Sequence, residues 1–149
     1  MSSGVYRTGK LSSMDESEIV FHRDGKTATV SVEKYINSLS IKTHGKSDAS
    51  ISLTGVSSDN DDESTQIMLG AMPLVLHPNA KTAAVIGWGS GMTTAVLLST
   101  PQLDRVDSVE IEPTMIKAAM LFRPRVELAY TPLVALTWSS TIQIRHGLK

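Results

Sequence analysis

The residues best suited to chemistry are Gly87, Gly89 and Gly91, which follow the apolar run Ala83-Ala84-Val85-Ile86 and precede a helix-like stretch, Met92 to Ser99. Alternating glycines let a backbone turn sharply and approach a ligand where a Cβ would collide. A strand, a glycine turn and then a helix whose first N–H groups face the turn is an arrangement that cradles nucleotides. Glycines this dense also occur in plain loops, so a second signal is needed. Glu110 supplies it, at the end of the strand-like segment Val106 to Ile111 and about twenty residues beyond the glycines, where a carboxylate can hold ribose hydroxyls. Ser90 has no nearby His/Asp arrangement to make it a nucleophile, although Gly89-Ser90-Gly91 has the outward form of a hydrolase elbow. Trp88 is open to two roles, stacking on a ligand or packing against the neighbouring helix. The four histidines, His22, His44, His77 and His146, lack metal-ligand spacing.

The elements that must position these residues divide the chain into five stretches. Residues 1–17 are a polar lead-in. Residues 18–55 form a small antiparallel β unit: strands at Ile19 to His22 and Thr27 to Glu33 flank an Asp24-Gly25 turn, and two more lie at Ser38 to Thr43 and Ala49 to Leu53. Residues 56–81 are an acidic loop, read as a solvated boundary, and a connecting helix. In that helix Ile67, Met68, Ala71, Met72 and Val75 recur at helical spacing, which predicts a core-facing stripe, and Pro73 is expected to kink or end it. Residues 82–130 are a partial Rossmann-like unit. Ala83 to Ile86 are expected to be buried on both faces, and a helix is expected from Pro113 to about Phe122, stopped by Arg123-Pro124. Residues 131–149 form a tail with β-prone stretches that the pattern does not place in a sheet.

Composition narrows the field by exclusion. Hydrophobic residues make up 41%, charged residues 19%, and the formal net charge is −1, so no nucleic-acid footprint is implied. Cysteine is absent, which removes disulfides and thiolate metal sites and fits a reducing, cytoplasmic setting. There is no apolar run near the length of a membrane span.

Taken together, several segments resemble the spermidine synthase-like, or polyamine aminopropyltransferase-like, proteins. The resemblance covers Tyr6 to Tyr130 and is carried by residues 25–32, Gly45-Lys46-Ser47-Asp48-Ala49-Ser50, Thr65-Gln66, Met72-Pro73-Leu74 with His77-Pro78, residues 85–91, and Val109-Glu110-Ile111-Glu112-Pro113. The Thr-Gln pair and the Gly-Ser-Gly form look most like the branch whose members are often fused to membrane-transporter segments. The resemblance implies an N-terminal β domain followed by a Rossmann-like, class I methyltransferase-type domain. It also implies a nucleoside cofactor, decarboxylated S-adenosylmethionine or S-adenosylmethionine, with a polyamine as acceptor and no metal. By the same resemblance Gly87, Gly89, Ser90 and Gly91 would line the cofactor, Glu110 would hold the ribose, and Gln66 would border the pocket.

Departures from the family pattern matter equally. The synthases carry an aspartate where this chain has Ser90, so a charge-assisted contact to the transferred ammonium group is lost. They also carry a tyrosine and acidic residues around Thr65, Gln66 and Ile67. No aspartate follows Asp107, and Glu127 is the only later carboxylate, so the loop that carries the family's catalytic base is missing. One expectation for the tail is a frameshifted product, because Thr137 to Ile142 can be encoded so that a shifted frame reads Val-Val-Val-Asp-Asp. The reading is therefore a cofactor-binding part of an aminopropyltransferase-like protein without turnover of its own. A non-catalytic nucleoside-binding or regulatory domain and an S-adenosylmethionine-dependent methyltransferase relative are the alternatives. An incomplete sheet leaves an open edge, which also admits a homo-oligomer.

Overall fold

The computed structural model describes residues 17–54, 61–130 and 141–145. Four strands, β1 (Glu18–Asp24), β2 (Thr29–Lys34), β3 (Ser38–Thr43) and β4 (Lys46–Ser52), form an antiparallel sheet in sequence order. Alternation of side chains along each strand builds its core face. Val32 lies opposite Ile41, Ile41 opposite Ala49 and Leu39 opposite Ile51, and all of these are buried. The other face keeps one buried acid, Glu33, which accepts hydrogen bonds from Lys42 Nζ at 2.6 Å and Tyr35 Oη at 2.9 Å.

Turn chemistry sets the strand lengths. The Asp24-Gly25 turn closes as expected, with Gly25 N donating to Ala28 O at 2.8 Å. The β3–β4 connection is tighter than the sequence pattern implies. His44 and Gly45 both have positive φ, 50° and 78°, so two residues suffice for a hairpin and β4 begins at Lys46 rather than Ala49.

A second sheet has the order β5 (Thr82–Ile86), β6 (Arg105–Val109), β7 (Thr141–Arg145). Strands β5 and β6 are parallel, and β7 returns antiparallel to β6, with Thr141 opposite Val109. Part of the unplaced tail thus belongs to the sheet, while residues 137–140 of the frameshift expectation lie outside the described residues. Helix α1 (Asp61–Leu76) precedes β5, α2 (Met92–Leu98) joins β5 to β6, and α3 (Pro113–Ala119) follows β6. From α3 the chain continues as short 3-10 turns, Met120–Arg125 and Glu127–Tyr130. The chain is therefore α/β, an antiparallel four-stranded unit joined to a Rossmann-like unit with a parallel strand pair.

Two expectations about burial need correction, and the expectation that Pro73 kinks or ends α1 is narrowed by excluding the ending. The stripe on α1 faces outward: Ile67, Met68, Met72 and Val75 are exposed, Val75 by 78%. The inward side is instead Glu63, Gln66 and Gly70, because α1 crosses α2 so closely that a Cβ on Gly70 would lie 2.8 Å from Val96. Close approach selects the residue with no side chain, and that choice turns the larger apolar residues to the surface. Pro73 does not end α1, which runs to Leu76 with His77 N donating to Pro73 O at 2.9 Å. Pro73 forgoes the bond its N–H would make to Leu69 O, and the helix continues past it to Leu76. Strand β5 is not buried on both faces, since it lies at the sheet edge among the described residues and Ile86 is 83% exposed.

The acidic boundary is also more than a solvated loop. Asp62 and Glu63 lie in the first turn of α1, where negative charge complements the helix dipole. Glu63 is buried, accepting from Ser52 N at 2.7 Å and pairing with Arg125 at 3.0 Å, so it ties the first sheet to the 3-10 turns.

Candidate functional site

Parallel strands β5 and β6 end side by side, so the glycine turn after one and Glu110 after the other are brought together. Gly87 N donates to Val109 O at 2.8 Å, continuing the ladder one step beyond the strands. Gly87, Gly89 and Gly91 have φ of 90°, 55° and 87°, a region costly for side chains with a Cβ. A Cβ at Gly87 would meet nothing within 4 Å, so the turn opens onto free space there.

Glu110 is held by the backbone on both oxygens. Trp88 N donates to Oε2 at 2.9 Å and Glu112 N to Oε1 at 2.8 Å. Each carboxylate oxygen has a further lone pair, so a pre-oriented acceptor pair remains for a ligand's hydroxyls.

The space in front of Glu110 is an open cavity of about 530 Å³. Its lining includes Asp48, Gln66, Gly87, Gly89 and Glu110 together with the apolar Leu69, Pro73, Leu97 and residues 83–86 of β5. Of the residues expected from sequence, Gly87, Gly89, Gln66 and Glu110 meet in this one cavity. Ser90 and Gly91 lie beneath it and are not part of its lining. Ser90 is fully buried, donates from Oγ to Gln66 Oε1, and accepts from Met92 N at 3.2 Å. Gln66 Nε2 donates to Ser50 O at 3.1 Å and Asp62 O at 3.0 Å, so its amide group is fixed on both sides.

Trp88 takes the packing role through its ring, though its partner is a 3-10 turn rather than a helix. The indole packs edge-on against Tyr130, with centroids 5.4 Å apart, and Nε1 donates to Tyr130 Oη at 3.3 Å. Burial pushes the Tyr130 hydroxyl up to about 12, against the opposing pull of Trp88 and Arg123, so it stays protonated. Tyr130 and Asp48 were not singled out from sequence. Tyr130 closes an apolar run, and Asp48 sits in a polar turn-like stretch, so neither context distinguishes it from an ordinary surface residue.

Glu112, two residues beyond Glu110, faces the other sheet and is only 3% exposed. Its carboxylate accepts from Thr27 N at 2.7 Å, Thr27 Oγ1 at 2.8 Å and Thr114 N at 2.9 Å. Burial opposes ionisation, but these donors outweigh it and hold Glu112 down at about 2. The acid caps α3 and joins it to the β1–β2 turn, which keeps the floor of the cavity in register with the first sheet.

No family model matches the chain. Curated relatives do. The chain is 32% identical over 71 residues to the polyamine aminopropyltransferase of Agathobacter rectalis, covering 48% of this chain and 25% of that protein. To the polyamine aminopropyltransferase of Streptococcus pneumoniae serotype 4 it is 35% identical over 82 residues, covering 49% and 29%. The chain is homologous to polyamine aminopropyltransferases. It spans under a third of the length of these two relatives. The fold agrees with the same group: spermidine synthase from Thermotoga maritima superimposes with a TM-score of 0.63 at 17% identity, covering 76% of this chain and 37% of that one. A spermidine synthase in complex with the transition state analogue AdoDATO superimposes with a TM-score of 0.64 at 17% identity, covering 76% and 36%. Among the described residues no helix is long and apolar enough to cross a membrane.

Proposed function

We propose that the cavity binds the nucleoside of an S-adenosyl cofactor, decarboxylated S-adenosylmethionine or S-adenosylmethionine, and that the chain is the cofactor-facing part of an aminopropyltransferase-like protein. The observation that carries this reading is Glu110, oriented by two backbone N–H groups at the carboxyl end of a parallel strand pair, beside a glycine turn that opens onto the cavity. Ligands bind at such strand ends in open α/β sheets, and a carboxylate there accepts from both ribose hydroxyls. Gly87 and Gly89 give the backbone room beside the ligand, and Gln66 walls the opposite side. Ser90 and Gly91 act from below, Ser90 by fixing Gln66 and Gly91 by allowing the turn into α2.

Residues 1–149 bind without turnover in this reading. Aminopropyl transfer requires a base for the attacking amine. No aspartate follows Asp107, and Glu127 does not line the cavity. The acceptor of the whole protein is a polyamine. The functional division follows the stretches set out from sequence, with residues 18–55 and 56–81 walling a site whose cofactor turn lies in 82–130, and the working setting is cytoplasmic. A transporter-fused parent and a homo-oligomer are proposed on the resemblance and the open β5 edge alone. A second reading, a non-catalytic nucleoside sensor, is favoured by the neutral Ser90, which leaves no acid in the glycine turn.

Calorimetric titration with methylthioadenosine tests the cofactor site. Saturable one-to-one binding that is lost in Glu110→Ala is expected. Failure of the folded protein to bind would overturn the reading. An aminopropyl transfer assay on the same protein separates the two functions, with no product expected.

A further inference from the structure

Among the described residues the cavity lining contains two carboxylates, Asp48 and Glu110, and no lysine, arginine or histidine. Their situations differ. Glu110 has a backbone N–H on each oxygen, whereas the Asp48 carboxylate makes no hydrogen bond or ion pair among the described residues. Asp48 owes its direction to an irregularity in the sheet. Ile41 pairs with Ala49 and Lys42 with Ser47, so Asp48 is the extra residue of a β-bulge on β4. Bulges re-aim a side chain that the regular pleat would send elsewhere, and this one brings a carboxylate to the rim of the cavity.

Resting on the nucleoside reading above, we propose that Asp48 makes this a site for a cationic nucleoside, by receiving the ammonium group of the cofactor's aminopropyl arm from the β4 side of the cavity. The acid that the glycine turn lacks at Ser90 is thereby supplied from the first sheet. Two further observations agree. Partial burial, with Glu110 adding to it and Lys46 and His44 opposing, raises the proton affinity of Asp48, and a ligand cation would relieve that strain on the charged form. The facing polar group, Gln66, has its amide committed to Ser50, Asp62 and Ser90, so it does not neutralise Asp48.

The test compares a charged and a neutral nucleoside on one protein. Decarboxylated S-adenosylmethionine carries a sulfonium and an ammonium, and methylthioadenosine carries neither. Calorimetric titration of wild type and Asp48→Asn with both ligands is expected to show the variant about tenfold weaker for the charged ligand, in line with loss of a charge-assisted contact. Methylthioadenosine is expected to change by less than about twofold, within the small effect of a neutral rim substitution. Asp48→Glu, which keeps the charge, is expected to recover most of the difference. Equal weakening of both ligands, or no weakening of the charged one, would overturn the assignment of Asp48 while leaving the nucleoside site intact. Failure of the wild type to bind methylthioadenosine would remove the nucleoside reading and this proposal with it. The unpaired side chain at the rim makes Asp48→Asn a mild change to the fold, and matching thermal unfolding of the two proteins checks that.

Discussion

Glu110 and Glu112 stand two residues apart at the end of the same strand, yet they serve opposite purposes. Both accept backbone N–H groups, but Glu110 does so at the mouth of a cavity, with lone pairs to spare, and Glu112 does so in the seam between the two sheets. Residues two apart in an extended segment share a face, so the divergence comes from the chain leaving β6 after Val109 and turning into α3, with Glu112 drawn back as its N-cap. In the proposed reading the first position is completed by a ligand, whereas the second is already complete. Substitutions should therefore separate cleanly into effects on stability at Glu112 and effects on binding at Glu110.

The largest expected effect is Glu112→Ala. It leaves Thr27 N and Thr114 N without their acceptor in a buried seam, and a loss of about 3 kcal/mol is expected from stranding such donors. Urea unfolding measures it. A loss below about 1 kcal/mol would mean that water replaces the carboxylate and that the seam is not dry. Gly25→Ala attacks the same seam from the other side, because its Cβ would lie 2.2 Å from Glu112 Oε1. One of the two must move, and about 2 kcal/mol is expected, the usual cost of overpacking. A wild-type stability for Gly25→Ala would show that the turn is loose enough to shift.

Acidity separates the seam further from an ordinary surface carboxylate. Glu112 is lowered from 4.5 to about 2, so the folded state binds its proton less readily than the unfolded chain does. The stability this group contributes is complete above about 4.5 and is lost as pH falls through about 2. Unfolding measured between pH 6 and pH 2.5 should show a steeper fall for the wild type than for Glu112→Gln, which has no proton to gain. Parallel curves would place the acid sensitivity elsewhere.

How far these roles could be read in the sequence follows from what each depends on. Gly87, Gly89, Gly91 and Glu110 carry their roles in local order, strand, turn, helix, strand, acid, and the fold class was legible for the same reason. Glu112 was visible only as part of a motif, because its partner Thr27 is 85 residues away. The outward stripe of α1 was misread because periodicity gives the width of an apolar face but not which side meets a neighbour. That is decided by Gly70, a residue that adds nothing to a hydrophobic pattern yet alone lets α2 come close. Ser90 is placed at the cofactor by the family resemblance, and only three dimensions reveal that its hydroxyl donates to Gln66. The bulge that aims Asp48 has no sequence signal, since it arises from pairing across two strands.

The smallest expected effect lies on the face that periodicity misjudged. Met72→Gln replaces an exposed apolar side chain on α1 with a polar one of good helix propensity. If that face meets solvent, the change in unfolding free energy should stay within about 0.5 kcal/mol, as for surface substitutions generally. If α1 instead covers a core in solution, losing a buried apolar side chain for an amide would cost about 2 kcal/mol or more. A third outcome is informative in its own right: a stability that rises with protein concentration in the wild type but not in Met72→Gln would mean that the exposed face of α1 is covered by another copy of the chain. The same measurement thus asks whether the apolar stripe of α1 stands free in solution.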